Sequence, residues 1–286
     1  MVLRDWKLQE YILDRDEAVA DVPEFIKIYE KRPLRNNDGG MGFNHSFATW
    51  HILKNIAPAT VIESGVWRGH STWLIEQACP NAEIFCLDID FSKLEYKSDQ
   101  ATYIEADVSE CDWSSIDPTK AVAFLDDHQN AYARLKDLWW IGIHHAIFED
   151  NYAVGEGDCY SLKHVRAGVG LPHLQMSPHY QGNILERAKR KAIEKILMRL
   201  KHKQTAIVRP NTSDLANLQR RLKSYLEFPP VVRYPAKPSG ENWEGSSATV
   251  APLFENLSSI SGLDRIEEEE PGKRFGYSYI AYVSLI

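Results

Sequence analysis

The sequence predicts an α/β fold, a mostly parallel sheet flanked by helices. Three observations lead there. Between residues 60 and 150, short apolar runs alternate with helix-length connections, as expected of strands covered on both faces. These runs end in acids, at Glu63, Asp88, Asp107, Asp126 and the Glu149-Asp150 pair. A loop with two glycines, Gly65 and Gly69, follows the first run. Ligands of open α/β sheets bind outside the carboxyl ends of the strands, so the acids mark one functional face.

Residues 1–45 read as an accessory extension of short helices, with Ile12, Leu13, Val19, Val22, Phe25, Ile26 and Ile28 at uneven helical spacing. Met41, Phe43 and His45 lie on a segment placed to cover the site as a lid. Phe47 to Ile56 has the spacing of an amphipathic helix. Strands follow at 60–65, 83–88, 101–107, 121–126 and 146–150, with helices at 71–78 and 130–140 between them. A loop rich in Gly and His runs to about Gln181, then a basic helix from Ile184 to Lys203 and a second helix from Ser213 to Leu226. These make a helical insertion at about 155–226 within a main domain, 46–286. Ser239 to Ser247 reads as loop, Glu267 to Glu270 as a solvated turn, and Phe275 to Ile286 as a closing strand.

Composition narrows the class. The 286 residues carry 33 Lys+Arg and 40 Asp+Glu, a net charge of −7, which argues against nonspecific nucleic-acid binding. The basic helix leaves open an acidic ligand over its rim. The four cysteines have no zinc-like spacing and read as reduced thiols. Met1 to Glu10 has no signal-peptide core, and no apolar stretch reaches 18 residues. The expectation is a cytoplasmic protein without membrane contact, able to form a homo-oligomer through its C-terminal region.

The glycine loop reads Glu63-Ser64-Gly65-Val66-Trp67-Arg68-Gly69-His70-Ser71. A dinucleotide fingerprint needs glycine where Trp67 stands, because a pyrophosphate must approach the backbone there. A nicotinamide oxidoreductase is thereby disfavoured. No Gly-Lys-Ser/Thr follows either, so the loop is no Walker motif. It suits a ligand with an amino-acid group and a nucleoside but no phosphate. Ser71 and the helix-start N–H groups would hold a carboxylate, Asp88 the ribose hydroxyls, and Asp107 the adenine edge. That description fits S-adenosylmethionine, against the alternative of another ligand on a parallel α/β protein.

Asp126-Asp127-His128-Gln129 and Glu149-Asp150-Asn151 close two further strands. Clustered oxygen ligands suit a hard divalent cation such as Mg²⁺, which would orient a hydroxyl and lower its pKa. The glycine loop with these acids resembles the metal-dependent small-molecule O-methyltransferases. It is most similar to the cephalosporin hydroxylase-like and macrolide or aminocoumarin sugar O-methyltransferase group, and its metal motif also resembles that of the catechol O-methyltransferases. The resemblance covers roughly residues 45–152.

It implies a class I methyltransferase-like fold, with Glu63, Gly65, Gly69, Ser71, Asp88 and Asp107 on the cofactor. It assigns Asp126 and Asp150 to the metal, with Glu149 as third ligand by one analogy and Asn151 by the other. Asp127 is a supporting residue, or a ligand if the register slips by one. The catechol enzymes carry a lysine base where Gln129 stands; His128 is the nearest replacement. The expected activity is O-methylation of a small hydroxylated substrate, a sugar or a catechol-like diol. The rival is a noncatalytic S-adenosylmethionine-binding protein on the same fold.

Overall fold

The computed structural model describes residues 8–154, 159–170, 211–232, 250–255, 260–269 and 280–286. Its centre is β1 (Thr60–Ser64), buried at every position, so its apolar run has no solvent face. β2 (Glu83–Asp88) and β4 (Ala121–Leu125) pair parallel on either side of it. β3 (Ala101–Glu105) lies outside β2, and β5 (His145–Phe148) outside β4, again parallel. β7 (Ala281–Leu285) runs antiparallel between β5 and β6 (Leu222–Glu227). The order β3-β2-β1-β4-β5-β7-β6, with β7 alone reversed, is the class I methyltransferase-like, Rossmann-like arrangement.

Helices cover both faces. On one side lie α1 (Arg15–Tyr29), α2 (Phe43–Ile56) and α3 (His70–Ala78), sharing a core that includes Phe25, Phe47, Trp50, Leu53 and Trp73. α4 (Ala131–Ile141) and α5 (Leu162–Arg166) cover the other through Leu135, Leu138, Leu162 and Val165. Two further helices, α6 (Thr212–Gln219) and α7 (Leu263–Glu269), come later. Side chains cap the starts: Asp14 accepts from the N–H of Asp16 and Glu17 at α1, and Asn130 from that of Ala133 at α4. The four cysteines are free thiols. Among the described residues no helix is long and apolar enough to cross a membrane.

Three expectations change. Among its described residues the N-terminal extension holds one 15-residue helix, α1, with Pro23 inside it, and the start of α2, rather than several short helices. The apolar face of α1 is Ala18, Val22, Phe25, Ile26 and Tyr29, while Ile12 is exposed. The helix expected over Ser213–Leu226 stops at Gln219, and Leu222–Glu227 forms β6. Leu, Lys and Glu favour a helix locally, but pairing with β7 overrides that preference. Glu267 to Glu269 belong to α7, which needs only Leu263 and Ile266 to face inward. The basic helix at Ile184–Lys203 and the loop at Ser239–Ser247 lie outside the described residues.

Candidate active site

The site lies at the carboxyl ends of the parallel strands, in a cleft of about 470 Å³, within the range for small-molecule pockets. The loop after β1 shapes its floor. Gly65 has φ +91°, and a Cβ there would stand 2.1 Å from the Asp126 carbonyl oxygen, so only glycine lets the loops after β1 and β4 touch. Trp67 takes a left-handed φ of +46° and reaches the cleft. Asp88, at the end of β2, fixes this loop: its Oδ2 accepts from the N–H of Val66 and Trp67, both at 2.9 Å. Its Oδ1 accepts from Asp90 N–H at 3.1 Å. With about two lone pairs per carboxylate oxygen, Asp88 keeps one acceptor position open on Oδ1 among the described residues.

Asp107 sits deeper on the same side. Arg134 of α4 grips it with both terminal nitrogens, at 2.8 and 2.6 Å, while its Nε donates to Asp127 Oδ2 at 2.8 Å. Ser109 also donates to Asp107 Oδ1 through its N–H and its hydroxyl. These contacts hold the Asp107 carboxyl well below the usual range and leave Oδ2 the freer oxygen. Asp127 Oδ2 accepts from Ser64 Oγ at 2.7 Å as well. Asp127 thereby links the end of β1 to α4 through Ser64 and Arg134.

At the ends of β4 and β5 the acids converge. One ligand atom each from Asp126, His128 and Asp150 lies within 4.8 Å of the others. His128, half exposed and at φ +52°, places Nδ1 3.2 Å from Asp150 Oδ2. Burial, then the charges of Glu149 and Asp150, push the Asp126 carboxyl far up. Burial, then Glu149, push that of Asp150 up to about 8. Glu149 is buried too, which raises it, but the His45 imidazole lies against its Oε1 and brings it down overall. Asp150 Oδ2 has the His128 imidazole as its neighbour and makes no hydrogen bond among the described residues. Three crowded, largely buried carboxyls beside one imidazole fit a hard divalent cation.

The cleft thus gathers Gly65, Asp88, Asp107, Asp126, His128, Glu149 and Asp150 from the sequence-based set. It does not gather Glu63, Gly69 or Ser71. Glu63 is fully buried beneath the loop, where Oε2 accepts from Thr72 Oγ1 at 2.7 Å and Cys86 Sγ at 3.0 Å. Ser71 is buried in the first turn of α3. Gly69 serves α3, with φ +91° and space for a Cβ denied by the Tyr96 carbonyl oxygen at 2.2 Å. Asn151 is engaged elsewhere, donating to Tyr225 OH at 2.8 Å and accepting from Lys163 N–H, whereas Glu149 lines the cleft.

Two lining features went unread in the sequence: Arg134 and the Gly39-Gly40 turn. Arg134 had a signal, since it lies between Ala131 and Leu138 on the buried stripe of α4 and a buried arginine needs acidic partners. The Gly39-Gly40 turn had none, because its role comes from packing on the Trp67 ring, whose Cη2 lies 3.6 Å from a Cβ placed at Gly39. The segment expected as a lid contributes His45 to the cleft lining and is tied to the loop after β1 and to α3: Arg68 Nη1 donates to the Asn36 carbonyl at 2.6 Å, and Ser46 Oγ lies 3.0 Å from His70 Nε2.

No protein-family model and no curated protein sequence matches the chain. Among solved structures it is similar to the S-adenosylhomocysteine-bound methyltransferase PaMTH1 of Podospora anserina, at 15% identity and TM-score 0.38, over 78% of this chain and 95% of that one. It is also similar to the O-methyltransferase TomG of Streptomyces achromogenes in complex with S-adenosylmethionine, at 8% identity and TM-score 0.41, over 97% and 91%. A third is cmcI with Mg and S-adenosylmethionine, at 19% identity and TM-score 0.30, over 52% and 69%. At such values the similarity adds nothing to what the strand order establishes.

Proposed function

We propose that the chain is an S-adenosylmethionine-dependent O-methyltransferase, assisted by a divalent cation, acting on a hydroxyl of a small molecule such as a sugar or a catechol-like diol. One observation carries this reading: the Gly65 loop with Asp88 and the Asp126-His128-Asp150 cluster line a single cleft. A nucleoside site alone would not call for the cluster, and a metal site alone would not call for the loop.

Bound S-adenosylmethionine supplies an electrophilic methyl group, and a bound divalent cation supplies Lewis acidity toward the acceptor hydroxyl. Asp88 Oδ1 and Asp107 Oδ2 offer the open acceptor positions for the nucleoside. Arg134 keeps Asp107 ionised and aimed. Asp126, Glu149 and Asp150 would hold the cation and so draw the acceptor oxygen toward them. His128, beside Asp150 and open to solvent, is placed to take the proton the hydroxyl loses. Proximity and fixed charge then provide the rate, since methyl transfer needs alignment more than covalent help from the protein.

The test is calorimetry and thermal shift with S-adenosylmethionine, S-adenosylhomocysteine and NAD, with and without Mg²⁺, on wild type and Asp150→Ala. The expected result is binding of both sulfur compounds and not of NAD, with an Mg²⁺ increment lost in the variant. Release of S-adenosylhomocysteine in the presence of diol acceptors is then expected. Sulfur-compound binding without turnover across such acceptors, indifferent to Mg²⁺, would instead mean a noncatalytic binding protein. Absence of sulfur-compound binding would reject the cofactor.

A further inference from the structure

We infer that His45 is a positioning residue of the cation site, holding Glu149 in place from helix α2. This rests on the cation reading above.

His45 stands in the first turn of α2, one residue after Asn44, whose Oδ1 accepts from Val231 N–H at 2.8 Å. One residue further on, Ser46 is tied to His70 at the start of α3. The backbone of this turn is therefore fixed on both sides of His45, and the imidazole is delivered to one place. There it meets Glu149 Oε1 through Nδ1, across 104 residues of sequence. Both side chains are largely enclosed, 19% and 9% exposed. An ionised carboxylate only accepts, so Nδ1 is the donor.

Glu149 is the charge that weighs most on Asp126, and it lines the same cleft as Asp126 and Asp150. Left alone, it would be driven from two like-charged neighbours in a site of low dielectric. The bond to His45 satisfies its outer oxygen and keeps the carboxylate within the cluster. Carboxylates that bind metals are commonly oriented by such partners, whose loss costs roughly 10–100-fold in metal affinity. The residue that does this here comes from α2, before the first strand of the sheet. Cation binding and the docking of the N-terminal segment are thus joined through one side chain.

The experiment is a titration with Mn²⁺ followed by electron paramagnetic resonance, on wild type, His45→Ala and His45→Asn. S-adenosylhomocysteine binding without metal and the thermal midpoint are measured alongside. His45→Ala is expected to weaken Mn²⁺ binding by roughly 10–100-fold while S-adenosylhomocysteine affinity stays at the wild-type value. His45→Asn, whose amide nitrogen can reach the position of Nδ1, is expected to recover most of the loss. It also decides the matter if the alanine variant unfolds. Unchanged Mn²⁺ affinity in a folded His45→Ala overturns the inference. So does an asparagine variant as weak as the alanine one, which would make the imidazole itself a ligand. If wild type binds S-adenosylhomocysteine but no Mn²⁺, the cation reading fails and this inference with it, while the cofactor reading stands.

Discussion

Single residues set the distances in this cleft. Gly65 brings the β1 and β4 loops into contact, and Gly65→Ala would drive a Cβ to 2.1 Å from the Asp126 carbonyl oxygen. It would also add the left-handed penalty of roughly 1–2 kcal/mol. The expected outcome is a shifted Asp126 loop, read as loss of S-adenosylhomocysteine binding in calorimetry; a variant binding at wild-type affinity would contradict it. Arg134 is the other such residue. Arg134→Met strands Asp107 and Asp127, and removing one side of a buried charge network costs about 3–5 kcal/mol. Urea unfolding should show a loss of that order, with Arg134→Lys intermediate because one ammonium cannot span both acids. Equal stability of the Met variant and wild type would refute the clamp.

At the scale of elements, the strands that build the site were readable because burial on both faces leaves an unbroken apolar run. β2 falls where its pattern places it, and β1 and β4 within a residue. β6 was unreadable for the opposite reason: its residues favour a helix, and only a partner strand from far along the chain makes it a strand. The site divides in the same way. Acids at strand ends declare themselves by position, whereas Glu63 and Ser71 have the right spacing but face the underside of the loop. Only the packing of α3 on β1 decides that.

Two elements also carry a pH dependence. Burial pushes the imidazoles of His145 on β5 and His164 on α5 down to about 4. The unfolded chain takes up these protons near pH 6.5 and the folded one only near pH 4. Their contribution is therefore complete above about pH 6.5 and declines as pH falls toward 4, by at most about 1.4 kcal/mol per pH unit for each histidine. Urea midpoints at pH 7 and pH 5 check this. His145→Gln is expected to flatten the slope, and an unaltered slope would remove His145 from the account.

For the molecule as a whole, the sheet is what joins distant sequence into one cleft. The antiparallel insertion of β7 between β5 and β6 has a consequence for how the protein comes into being. His145 Nδ1 meets Tyr282 OH at 2.7 Å across 137 residues, and Phe148, the residue before Glu149, pairs with Ala281. During synthesis β5 can join β4 early, but its outer edge stays bare until the last strand is made. A bare apolar edge invites pairing with other chains, and contacts this remote in sequence close slowly. The acidic end of the cleft is thus among the late parts to set, and a nascent or truncated chain lacking residues 281–285 would present β5 to its neighbours instead of to β7.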